Sequence, residues 1–285
     1  MIDIHVHMSR GSSDREYFLS QPREIEHLES IAEVTPSIRR FAVFPHYFRD
    51  GYCQEDANLS LLSLPERFVP FFRFKLARRL GMEARLTRAA GIKSCLKYMR
   101  AKLRLHPCPS EFEAVMRIGK QHGVRGYKFH DGQDGSFDAA TLAAILRERA
   151  VLVLHSYPCK IRRFIEEGAI PPKEQIRGTV VFAHFGYSLI NPAAEVPDIL
   201  WLNRHAGDWL KFDTSFVGTL PALRPVLEPC LDRLVFGSDF PAVSPEASLS
   251  NLLAIGKLLG VQPDSTIAAL ERNSATIESL LGIDD

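Results

Sequence analysis

His5 and His7 stand two residues apart in the run Ile2-Asp3-Ile4-His5-Val6-His7. Side chains alternate faces along an extended strand, so this spacing points both imidazoles the same way. Their Cα atoms would lie about 6.6 Å apart at a rise of about 3.3 Å per residue. Two imidazoles on one face can converge on a metal ion, but the pair alone is equally a strand with incidental histidines. Further donors have to come from elsewhere, and several apolar runs end in one. Gly126–His130 carries Lys128 and His130, Val151–His155 ends in His155, Thr179–His184 ends in His184, Trp209–Asp213 ends in Asp213, and Arg233–Asp239 ends in Asp239. Core packing does not call for polar side chains at so many strand ends. Zinc takes imidazole nitrogen and carboxylate oxygen in tetrahedral sites and keeps a position open when catalytic. The candidate ligand set is His5, His7, His155 and Asp239. It would hold one divalent metal, zinc first, with Mn²⁺ or Fe²⁺ able to use the same donors.

These residues need a scaffold that brings strand ends together. Strands are expected at 2–7, 38–44, 68–74, 126–130, 151–155, 179–184, 209–213 and 233–238. Helices are expected at 22–34, 54–64, 111–122, 138–149, 160–167, 195–206, 247–259, 264–271 and 274–281, with loops at 8–20 and 131–136. Several strands are apolar without alternation, as parallel strands buried on both faces are. Eight βα units within 285 residues describe a single-domain α/β protein, a (β/α)₈ TIM barrel, whose active site lies where the C-terminal strand ends meet. A doubly wound sheet is the alternative. It would carry a glycine-rich phosphate loop after the first strand, and no GxGxxG is present.

The composition narrows the function classes. Hydrophobic residues make up 46% and charged residues 24%, ordinary for a globular protein, and the formal charge of +1 gives no general case for nucleic-acid binding. Five cysteines without a CxxC argue against a disulfide framework and for a reducing compartment. No apolar run reaches the roughly 18 residues of a membrane span, and Asp3, His5 and His7 interrupt any leader-like apolar stretch. A cytoplasmic protein with a small-molecule substrate is expected, with a homodimer as the default assembly. The stretch 75–106 is strongly basic, with ten Lys or Arg against Glu83 alone. It reads as a helical insertion, either a solvated basic hairpin or a rim that attracts an anionic substrate.

The motifs IDIHVH (2–7), GYKFH (126–130), VLVLHS (151–156), VVFAHFG (180–186) and LVFGSDFP (234–241), with Asn273, resemble the amidohydrolase superfamily. The resemblance is to its amidohydrolase-related branch, which includes relatives of aminocarboxymuconate-semialdehyde decarboxylase. It runs from the first strand to the last. It implies a metal-dependent barrel enzyme in which His5, His7, His155 and Asp239 hold one divalent metal and His184 is an acid/base. Asp239 would also carry a proton toward the leaving group. In binuclear members a carboxylated strand-4 lysine bridges two metals, which makes Lys128 a candidate for a second metal or for substrate. His130 and Arg73 are further candidates for substrate binding. The expected reaction is hydrolysis of an ester, lactone or amide of a small, carboxylate-bearing molecule by activated water. The alternative is non-oxidative decarboxylation of a small organic acid by the same residues.

Overall fold

The computed structural model describes residues 1–8, 21–45, 54–76, 112–186, 192–215 and 224–283. Of the expected loop 8–20, Met8 belongs to the first strand; residues 9–20 and residues 77–106 of the basic stretch lie outside the described residues. The strands are β1 (Ile2–Met8), β2 (Arg40–Pro45), β3 (Phe68–Arg73), β4 (Gly126–His130), β5 (Val151–His155), β6 (Thr179–Phe182), β7 (Leu210–Asp213) and β8 (Leu234–Val235). The described helices are α1 (Gln21–Val34), α2 (Gln54–Ser60), α3 (Phe112–Gln121), α4 (Ala139–Arg147), α5 (Pro158–Glu166), α6 (Pro192–His205), α7 (Arg224–Leu227), α8 (Pro245–Leu258) and α9 (Pro263–Leu281).

Every strand pairs in parallel with its successor, in the order β1 to β8. The chain beyond β8 returns to β1: Ile4 N donates to Phe236 O at 2.9 Å, Asp239 N to His5 O at 2.8 Å, and His7 N to Phe240 O at 2.9 Å. The sheet therefore closes into a single (β/α)₈ barrel. The consecutive strand order excludes the doubly wound alternative, which needs a reversal of order.

Alternation sorts the strand residues into two shells. Ala42, Phe44, Val69, Phe71, Val151, Val153, Val181 and Val235 form one buried cluster inside the barrel. Phe41, Val43, Phe72, Tyr127, Phe129, Leu152, Leu154, Phe182 and Phe212 belong to the larger cluster between sheet and helices. Burying each such aliphatic or aromatic side chain contributes about 1.5–3 kcal/mol. Gly126 is a point where the inner packing demands glycine: an added Cβ would come 2.3 Å from the Phe71 ring.

β1 departs from simple alternation. Asp3 pairs with Phe41 but Val6 pairs with Val43, so β1 uses one more residue than β2 over this interval. Ile2 and Ile4 face the interior before this bulge, while Val6 and Met8 pack outward after it. Strict parity would send His5 and His7 to the outer face with Asp3. The extra residue turns both inward, a common use of bulges beside active sites.

The expected pair of short helices at 264–271 and 274–281 is one continuous helix, α9. Nothing between its halves breaks a helix, and Gly282 ends it in the left-handed conformation at φ 75°. Ile277 and Leu281 on α9 enter the inner cluster with Ile2 and Val151, so this helix floors the barrel at the end opposite the strand C-termini. Asn273 ties it down, accepting from Lys211 Nζ at 2.9 Å and donating to Leu234 O at 2.8 Å. β6 and β8 are shorter than expected. β6 gives way at Ala183 to a tight turn through Gly186, and β8 ends at Val235.

Candidate metal centre

The strand C-termini gather the polar residues at one rim. His5 Nε2 and His7 Nε2 each lie 3.1 Å from Asp239 Oδ1. One donor atom from each of these three residues falls within 4.8 Å of the others. Donors bound at about 2.0–2.1 Å around a tetrahedral ion would stand about 3.3 Å apart, so the cluster has the spacing and the chemistry to hold a divalent metal. Phe44 walls it, its ring centroid 5.3 Å from that of His5 and 4.7 Å from that of His7.

The electrostatics favour a cation at this point. Burial and the Lys128 ammonium oppose charge on His5, but Asp213 and Asp239 outweigh them and raise its pKa. Burial alone would raise the Asp239 carboxyl, yet the His5 and His7 rings hold it well below the usual carboxylate range. Burial keeps His7 neutral, its pKa far below that of free imidazole, so its nitrogens are fit for coordination.

Behind these donors stands Asp213. Its Oδ2 lies 2.7 Å from His5 Nδ1, and its Oδ1 accepts from His184 N at 2.8 Å and Ser215 N at 3.0 Å. Despite full burial, the His5 ring pulls the Asp213 pKa down to about 2, so the carboxylate is ionised and only accepts. His5 therefore donates from Nδ1 and turns Nε2 toward Asp239. This is the carboxylate–histidine pairing that orients metal ligands. Gly237 makes room for the pairing: an added Cβ would lie 3.1 Å from both Asp213 Cβ and His5 Cβ.

Asp213 also fixes His184. Ser215 Oγ makes a very short hydrogen bond to Asp213 Oδ1 and lies 2.6 Å from His184 Nδ1. The serine has one proton, and the ionised carboxylate takes it. Ser215 Oγ must then accept from His184 Nδ1–H, which leaves the lone pair of the imidazole on Nε2. Burial and the neighbouring His5 push the His184 pKa down to about 4, so the ring is a neutral base. Its backbone is held at φ 51°, followed by Phe185 at φ 58°, and Asp239 sits at φ 63°. Left-handed conformations at non-glycine residues cost on the order of 1–3 kcal/mol each and persist where the surroundings dictate them.

His155 was expected among the ligands, but its donor atoms do not join the His5–His7–Asp239 group. β5 lies four strands from β1 in either direction around the barrel, so His155 approaches from across the lumen. Its ring contacts His130 at a centroid distance of 3.9 Å and His184 at 5.2 Å. His184 in turn stacks on His5 at 4.8 Å, and His5 meets His7 at 5.3 Å. Five imidazoles thus run in contact across the barrel mouth. His155 is neutral, its pKa driven far down by burial and by His184.

The remaining candidates divide. Lys128 is buried, with Nζ 3.3 Å from His5 Nε2 and 4.6 Å from the Phe44 ring centroid. Burial lowers its pKa to about 8, against the pull of Asp213 and Asp239. Arg73 directs its guanidinium at support: Nε donates to Asp134 at 2.9 Å and Nη2 to Gln133 Oε1 at 3.1 Å. His130 is half-buried and has Nδ1 3.0 Å from Asp131 O, with its pKa pushed down to about 4 by burial. The strand-end reading left out Asp213 as a site residue, although it ends β7 as Asp239 follows β8. Ser215 and Asp3 carried no signal in sequence, because their parts depend on partners the fold brings from other strands, the His184 ring for Ser215 and the Ser238 amide for Asp3.

No protein-family model matches the chain, and no curated protein matches it. Solved structures do. A Pseudomonas putida protein assigned as 2-pyrone-4,6-dicarboxylic acid hydrolase is 18% identical with a TM-score of 0.53, covering 100% of this chain and 98% of that one. The 2,6-dihydroxybenzoate decarboxylase from Rhizobium is 12% identical with a TM-score of 0.57, covering 100% and 99%. A dihydroxybenzoic acid decarboxylase from Polaromonas sp., solved with manganese and the inhibitor 2-nitroresorcinol, is 12% identical with a TM-score of 0.51, covering 100% and 97%. This chain shares the fold of these three proteins from end to end.

Proposed function

We propose that this chain is a metal-dependent hydrolase of the amidohydrolase type, acting on an ester, lactone or amide of a small carboxylate-bearing molecule. The observation that carries the reading is the Asp213–Ser215–His184 chain of hydrogen bonds. It sets a neutral base, with its lone pair on Nε2, in stacking contact with a metal-donor residue. His5, His7 and Asp239 would hold the ion, with His155 the fourth donor from across the lumen. Zinc is the first choice, and the manganese of the Polaromonas neighbour supports Mn²⁺ as the other. A divalent metal there would supply Lewis-acid polarisation of a carbonyl and a lower pKa for water.

The chain's own residues do the rest. His184 accepts a proton from water at Nε2, and Ser215 with Asp213 steadies the imidazolium that results. Asp239, an ionised carboxylate, relays that proton from His184 to the leaving group. Lys128 is a buried cation beside the donors and suits a substrate carboxylate or a developing oxyanion. A homodimer is the assembly we expect.

Decarboxylation is the second reading, favoured by the two decarboxylases that share the fold and by a lysine able to hold a carboxylate. In that case His184 or Asp239 takes a proton from solvent and delivers it to the carbon from which carbon dioxide departs. The test joins metal analysis of the purified protein to a panel of lactones, esters and aromatic or enolic acids in ¹⁸O water. Incorporation of ¹⁸O into an acid product supports hydrolysis. Release of carbon dioxide with a solvent proton on carbon supports decarboxylation. A metal-loaded protein that turns over neither class would sink both.

A further inference from the structure

Asp3 belongs to no donor cluster, yet it is fully buried between the two backbone segments that carry the donors. Its Oδ1 accepts from His5 N at 3.2 Å, inside the β1 bulge, and from Ser238 N at 3.0 Å, next to Asp239. Ser238 extends the link. Its hydroxyl accepts from Phe240 N at 3.1 Å. The amide before Asp239 is thus held by the carboxylate that also holds the amide of His5, and the amide after it is held by the hydroxyl of the same Ser238. Between them Asp239 N donates to His5 O at 2.8 Å. The bulge that turns His5 inward and the left-handed turn that presents Asp239 share one anchor.

We propose that Asp3 is a positioning residue for metal binding: it fixes the separation of the His5 and Asp239 donors by clamping the β1 bulge to the turn after β8. The inference rests on the reading of His5, His7 and Asp239 as a metal centre. Ordinary closure of the barrel does not require this clamp, because the β1–β8 backbone bonds at Ile4, His5 and His7 already close it. What those bonds leave open is the path of the chain through the bulge and around residue 239, and Asp3 fills that role.

The test loads wild type, Asp3→Ala, Asp3→Asn and Ser238→Ala with Co²⁺. It reads the d–d absorption spectrum and, by chelator competition, the affinity. Asp3→Ala is expected to weaken Co²⁺ binding about 10–100-fold, the usual cost of losing an outer partner of a metal ligand, and to alter the spectrum. Asp3→Asn keeps an acceptor oxygen for both amides and should restore the spectrum and most of the affinity. Ile277→Ala, in the barrel floor, controls for general loss of stability. It should lower the Tm without moving either metal readout. If Asp3→Ala gives no folded protein, Asp3→Leu, loaded in the same way, decides, since it fills the space but offers no acceptor to His5 N or Ser238 N, and the same weakening is expected. Ser238→Ala keeps its amide bond to Asp3 and frees only Phe240 N, so a smaller shift is expected. Unchanged affinity and spectrum in the folded clamp variants, or an equal change in Ile277→Ala, would overturn the proposal. Wild type that binds no Co²⁺ brings down the metal-centre reading and this inference with it. Wild type that binds while the clamp variants match it brings down the inference alone.

Discussion

Two charged clusters share the rim, and they are built on opposite plans. On the β1–β7–β8 side, the donor atoms of His5, His7 and Asp239 come together, while Asp213 holds His5 from behind and Ser215 holds His184. On the β3–β4–β5 side, the charges close on each other. Arg73 pairs with Asp134, whose Oδ2 also accepts from His130 N at 2.8 Å, and Lys160 pairs with Asp131 at 2.7 Å, where Ser156 Oγ donates as well. Both sides are rich in charge and near the same opening. The difference lies in whether donors and acceptors balance locally. A balanced cluster shapes the rim, whereas converging acceptors ask for a cation.

Perturbations of the two sides should therefore separate metal binding and turnover from stability. The largest effect is expected for Asp239→Ala, which removes an acceptor from the point of convergence. Metal affinity should fall by more than the roughly 100-fold upper range of outer-partner losses, measured by chelator competition. Retained affinity would show that the ion is held elsewhere. Next comes His184→Gln, which should cut kcat by about 10²–10⁴, the range of a general base, with metal content unchanged on elemental analysis. Asp134→Ala should do the reverse. It leaves the Arg73 charge buried without its carboxylate and should destabilise the fold by roughly 3–5 kcal/mol on denaturant titration, with Co²⁺ affinity unchanged. A drop in affinity matching that of Asp239→Ala would erase the distinction between the two sides.

A smaller effect is expected from pH on the metal-free protein. Burial pushes His130 and His184 down to about 4 from the ordinary 6.5, and His7 and His155 move the same way. Above pH 6.5 none of these rings is charged in either state. As pH falls from 6.5 toward 4, the unfolded chain takes up protons that the native rings refuse, so stability declines. Asp3, raised to about 7 by burial, works in the opposite sense: the native carboxyl takes up its proton first as pH falls below 7. His5, whose pKa is raised, works in the same sense as Asp3, so four histidines stand against two groups and give a net fall in Tm from pH 6.5 to 4. Melting curves of chelator-treated protein check this, and a flat or rising Tm would show that the rings are not held neutral.

Much of the barrel was legible in the sequence. The runs at 126–130 and 151–155 match the strands residue for residue. The first alternates Tyr127 and Phe129 with Lys128 and His130, and the second is apolar without a break up to His155, as a strand buried on both faces is. The places of His5, His7 and Asp239 at strand ends were legible too, and the fold brings one donor-type atom of each within 4.8 Å of the others. Arg73 shows the limit. A cation at a strand end reads as a substrate contact until the fold brings Asp134 to it from 61 residues away. The split of α9 into two was a local error, made because a polar stretch hid a helix that tertiary packing supports through Ile277 and Leu281.

The sequence by itself determined the repeat of strands and helices, the donor types, and their places at strand ends, because periodicity and side-chain chemistry are local properties. Tertiary structure decided which face His5 and His7 occupy, which carboxylate orients each imidazole, and that His155 stands across the lumen from the other donors. Those outcomes hang on one extra residue in the β1 register and on contacts such as Asp3 to Ser238, 235 residues apart. A single-residue shift in a strand inverts its faces, and no local pattern records where such a shift falls.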